Sequence, residues 1–109
     1  MDLAFDTLEL RFICEDEEYA INKIGPEVAK NLHHRLAEIR VAKSIDDILL
    51  GNPRIIESEE LEELLIMDIS FDFIVVFCAN HQIIPVDAKN RISWNKVSRI
   101  KVLQIERKK

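Results

Sequence analysis

The chain has 109 residues, 48% of them hydrophobic and 32% charged, with two glycines and three prolines. That size and mix fit one folded domain, residues 1–109, and exclude an intrinsically disordered chain. The formal net charge of −5 weighs against nucleic-acid binding, because phosphate contacts need lysine and arginine.

The average conceals an asymmetry. Residues 1–86 carry eighteen acidic and seven basic side chains, residues 87–109 two acidic and eight basic. A basic segment of this kind fits a polyanionic or charged partner, or a solvated tail. No 18-residue apolar run is present to span a membrane, and Met1-Asp2-Leu3-Ala4 lacks the basic start and apolar centre of a signal peptide. Cys14 and Cys78 lie among apolar residues and read as core thiols in a reducing cytoplasm, not as a disulfide or a metal site. Two glycines leave no room for a phosphate-cradling Gly-rich loop.

Leu3-Ala4-Phe5 is predicted as a first strand. Thr7 caps a helix whose largely apolar face carries Leu10, Ile13, Cys14, Glu17, Ile21 and Ile24. The acidic run Glu15-Asp16-Glu17-Glu18 reads as its solvated side. Gly25-Pro26 ends that helix and starts the next. Ala29, Leu32, Leu36 and Ile39 then repeat at helical spacing and predict a second helix of about 17 residues, antiparallel to the first. His33 and His34 point about 100° apart on that helix, so they are not a chelating pair and read as surface histidines. Ser44-Ile45-Asp46-Asp47 caps a short third helix, stopped by Gly51-Asn52-Pro53.

Beyond this point the period becomes that of strands. Arg54-Ile55-Ile56-Glu57 is a short strand candidate. Glu59, Glu60, Glu62 and Glu63 mark an exposed connection, in which Leu61, Leu64 and Leu65 are also compatible with a helical turn. Leu65, Met67 and Ile69 alternate with Ile66, Asp68 and Ser70. Phe73–Cys78 is apolar on both faces, as a central strand requires. Residues 81–94 form a long connection, Trp94 a packing residue, and Val97, Ile100, Val102, Leu103 and Ile105 a last strand. The order predicts an α+β fold, with an N-terminal helical hairpin packed on a small antiparallel sheet.

Val75-Val76-Phe77-Cys78-Ala79-Asn80-His81, Pro85, Ile92-Ser93-Trp94-Asn95-Lys96-Val97 and Ile100-Lys101-Val102-Leu103-Gln104-Ile105 resemble the C-terminal half of RelE/HigB-type toxins, in the plasmid maintenance killer subgroup. Gly25-Pro26-Glu27-Val28-Ala29, Leu32, Arg35 and Leu36, with Asp47-Ile48-Leu49-Leu50-Gly51-Asn52-Pro53-Arg54, resemble the family's helical hairpin and the link that follows it. The resemblance covers nearly the whole chain. It implies a RelE/ParE-like fold and a cytoplasmic toxin paired with a helix-turn-helix antitoxin. It also implies ribosome-dependent endoribonuclease activity on mRNA, by a metal-free, cofactor-free attack of the 2′-hydroxyl on the adjacent phosphate.

The residues themselves offer groups for that chemistry. Arginine and lysine suit phosphate oxygens and a developing phosphorane charge. Arg54, Arg91 and Arg107 are the candidate catalytic cations, and His81, after the central strand, a candidate acid or base. Lys89, Lys96, Arg99, Lys101 and Lys108 are candidate RNA contacts. The alternatives for His81 and Arg54 are an ordinary loop histidine and a surface arginine. The run Glu57 to Glu63 either meets a basic antitoxin or is solvated.

Three features depart from the family. Ile74 occupies the position of a phosphate-contacting arginine, the chain ends without the common Tyr-His pair, and it is acidic overall. They keep open a second expectation: a RelE-like protein that binds its antitoxin without cleaving RNA.

Overall fold

The computed structural model describes residues 1–58 and 63–108. Three α-helices and five strands, in the order β1 (Asp2–Phe5), α1 (Leu8–Glu15), α2 (Glu17–Ile24), α3 (Pro26–Val41), β2 (Arg54–Ile56), β3 (Leu64–Asp68), β4 (Phe73–Ala79) and β5 (Arg99–Arg107), make an α+β fold. Short 3₁₀ turns at Ile45–Asp47 and Trp94–Lys96 complete it. The predicted connection at Glu59, Glu60, Leu61 and Glu62 lies outside the described residues.

The first helical stretch is two helices, not one. Thr7 caps α1 as expected, its Oγ1 accepting from Leu10 N at 3.1 Å. Asp16 then leaves the helix, at φ −112° and ψ 112°. Its own amide donates to Phe12 O, closing α1, and its carboxylate accepts from Tyr19 N at 3.0 Å, opening α2. An aspartate that satisfies a carbonyl of one helix and an amide of the next turns the chain more favourably than it continues a helix. Gly25, at φ 87°, takes the turn into α3, with Pro26 at its first position.

The sheet runs β1-β5-β4-β3-β2, so Phe73–Ala79 is its central strand, as predicted. It is mixed and not wholly antiparallel, because β1 lies parallel to β5. Parallel neighbours need a long crossover, and here nearly the whole chain supplies it. The Met1 amino group donates to Ile39 O, Arg40 O and Ala42 O at 3.0, 3.1 and 2.6 Å, tying β1 to the carbonyl end of α3.

Strand alternation divides the sheet residues between two faces. Leu65, Met67, Phe73, Val75, Phe77, Ile100 and Val102 join Ala29, Leu32, Leu36 and Ile39 of α3 in one core. Trp94 and Val97 belong to it too, so Trp94 packs as expected. The opposite face carries Arg54, Ile66, Asp68, Ile74, Val76 and Cys78. A bulge between Val76 and Phe77 leaves Leu103 unpaired, so that Gln104 and Glu106 turn to this second face while Ile105 and Arg107 turn to the core side.

Candidate functional site

The second face of the sheet holds four of the eight predicted cations, and its centre is apolar. Arg54, Ile66, Val76 and Gln104 stand in one row across β2, β3, β4 and β5. The next row is Asp68, Ile74 and Glu106. Thus Ile74, half-buried, has a carboxylate on each side.

The cations on this face are met by acids. Asp68 Oδ1 lies 3.2 Å from Arg54 Nη1 and 3.2 Å from Lys108 Nζ. Arg54 also donates to Asn52 O at 3.0 Å, which holds the guanidinium over its own turn. Nearer the other edge, Lys101 Nζ sits 3.6 Å from Asp6 and Arg99 Nε 3.5 Å from Asp2. Three strand spacings separate Arg54 on β2 from these β5 groups, about 14 Å, with Ile66 and Val76 in the row between. Each such exposed pair contributes at most about 1 kcal/mol to stability. Their chemical effect is larger, since each carboxylate stands where a phosphate oxygen would bind.

The remaining candidates lie elsewhere. Arg107 is on the core side, its guanidinium 4.9 Å from the Phe73 ring centre and 3.3 Å from Asp72 Oδ2. His81 Nε2 accepts from Ser98 N at 3.0 Å and Arg99 N at 3.3 Å. That nitrogen is spent on holding the start of β5, and the ring proton is therefore on Nδ1. Lys89 and Arg91 flank a turn in which Asp87 Oδ1 accepts from both their amides, at 2.8 and 3.0 Å, and Asn90 has φ 63°. Lys96 is exposed on the 3₁₀ turn that follows. The structure groups Arg54 with Lys108 and Arg99 with Lys101, sets His81 against the Arg99 main chain, and places Arg107 and the turn carrying Lys89 and Arg91 elsewhere.

Of the two adjacent histidines, His33 is more than a surface group, because its Nε2 lies 2.9 Å from Ile13 O and links α3 to α1. Both cysteines are free. Burial pushes the Cys14 thiol up to about 12, with Arg40 opposing weakly. Burial also raises Cys78, which is only half covered on the second face, and Lys101 opposes it. Thiols held protonated in this way are poor nucleophiles.

Sequence reasoning missed Asp68 and Glu106, the acids beside Ile74. A signal for Glu106 was present: the doublet Val102-Leu103 interrupts the alternation of β5 and marks the bulge that brings Glu106 round. Asp68 carried no local signal, since its partners come from β2 and from the residue after β5.

Among the described residues no helix is long and apolar enough to cross a membrane, and no group of His, Cys, Asp and Glu could hold a metal ion. Compared with protein-family models, curated proteins and solved structures, the chain gives no match.

Proposed function

We propose that this chain is a RelE/HigB-like component of a type II toxin–antitoxin pair, its N-terminal helices packed on one side of the sheet, acting in the cytoplasm. Within that reading, it works by holding a helix-turn-helix antitoxin and does not cleave RNA. One observation carries the second clause: Ile74, in the place of a phosphate-holding arginine, is flanked by Asp68 and Glu106. A scissile phosphate over this row would meet two carboxylates and, among the described residues, no unpaired cation, which opposes the charge of the transition state. The ordered motifs from Gly25 to Ile105 support the family.

The endoribonuclease reading retains one supporting feature. Lys89, Arg91 and Lys96 make no ion pair among the described residues and share the excursion between β4 and β5. Such a cationic tip suits RNA backbone binding.

Co-expression with the product of the neighbouring reading frame tests the proposal. A stable complex, together with no growth arrest when this chain is induced alone, is the expected result. Growth arrest relieved by the neighbouring product would instead establish an active toxin.

A further inference from the structure

The free edge of β1 borders a groove that no other part of the described chain fills. The groove encloses roughly 490 Å³ and is lined by Leu3 to Leu8, by Arg11 and Glu15 of α1, and by Arg40 of α3. The amides of Asp2 and Asp6 point toward β5, donating to Ser98 O and Val102 O at 2.9 Å each. Strand alternation therefore turns the N–H and C=O of Leu3 and Phe5 outward, into the groove. Sheet edges are blunted by shortness, charge or proline; β1 is four residues long and carries the charge of Asp2, with no proline or lysine.

The walls set the charge of an occupant. Arg11 is neutralised by Glu15 at 3.3 Å, and Asp6 by Lys101 at 3.6 Å. Arg40 lines the groove, is exposed, and makes no ion pair among the described residues. The lining side chains thus carry two acids and two bases, and Arg40 is the one of the four with no ion pair among the described residues.

We infer that the β1 edge is a docking site for an extended, acidic segment of a partner protein, which adds a sixth strand beside β1 and places a carboxylate on Arg40. Main-chain hydrogen bonds from Leu3 and Phe5 supply the pairing, and Arg40 supplies the preference for acid. This inference does not depend on the toxin–antitoxin reading, because it follows from the edge and the groove alone.

Amide NMR of the full chain tests it, with the peptide acetyl-Val-Thr-Glu-Thr-Val-amide as probe. Titration shifts the Leu3 and Phe5 amides and slows their exchange with solvent. The lysine analogue binds about threefold more weakly, the scale of one exposed ion pair, and Arg40→Glu reverses that preference without disturbing the rest of the spectrum. Absence of any change at Leu3 and Phe5 at millimolar peptide would overturn the inference. So would equal binding by a backbone N-methylated peptide, which cannot form the strand bonds. Protection of the same amides by raised protein concentration alone would assign the edge to a second copy of this chain, and would likewise overturn it.

Discussion

Asp68 and Ile74 are directly opposed across β3 and β4, so the carboxylate and the isoleucine stand side by side on one face of the sheet. Glu106 faces Ile74 from β5 on the other side. On the proposed reading, a phosphate over this row would meet two acids and an isoleucine.

On the proposed reading, a cation placed at position 74 does not by itself make a phosphate site. Ile74→Arg places a guanidinium between Glu106, which neutralises it, and Asp68, which already meets Arg54 and Lys108. The half-buried position and two acidic neighbours keep the change in stability to about 1 kcal/mol. Urea unfolding checks the stability. A growth assay checks function, and induction of Ile74→Arg is expected to cause no arrest.

Asp68 is the shared anion of Arg54 and Lys108. Asp68→Asn removes both pairs and lowers stability by about 1–2 kcal/mol, since Arg54 and Lys108 stay partly exposed. The loss shrinks in high salt, because such pairs are screened. Urea midpoints of wild type and variant at low and high ionic strength measure it.

The corner between α1 and α2 depends on one side chain. Asp16→Ala deletes the acceptor of the Tyr19 amide and costs about 1 kcal/mol. The same sites show how far the sequence could be read. Ala29, Leu32, Leu36 and Ile39 are buried because helical spacing alone puts them on one side, and Leu65 and Met67 are buried by simple alternation. Asp16 carried a capping signal, an aspartate three residues before Tyr19, but it stood inside an acidic run that reads as solvated surface. The parallel β1–β5 pair joins the two ends of the described chain, and no local pattern encodes a pairing so remote. The charge neutralisation of Arg54, Arg99, Lys101 and Lys108 follows from cross-strand register and loop placement, which emerge only with the assembled sheet.

Gly51 fixes the turn before β2 to β3. It has φ +83°, accepts from Asp68 N at 2.7 Å through its carbonyl, and a Cβ there would lie 3.1 Å from Asp68 O. Gly51→Ala combines a left-handed backbone penalty of about 1–2 kcal/mol with that close approach. The expected result is a urea midpoint lowered by more than that of Asp68→Asn.

Cys14 gives stability a distinct alkaline slope. Its thiol is raised from 9.0 to about 12 by burial, so between these values the unfolded chain loses a proton that the folded chain keeps. The group therefore leaves stability unchanged below pH 9.0 and lowers it as pH rises toward about 12. The slope is about 1.4 kcal/mol per pH unit. Urea unfolding across this range, compared with Cys14→Ala, isolates the contribution: the variant lacks that part of the slope.

Ribosome-dependent cleavage is the most direct measure of whether this face handles RNA. Purified chain is added to translating ribosomes on a defined message, and primer extension maps the 5′ ends. Uncut message at stoichiometric protein is the result predicted from Ile74 between Asp68 and Glu106. Discrete cuts within codons at the ribosomal A site, lost in Arg54→Ala, would contradict it and place a working phosphate site on the second face of the sheet.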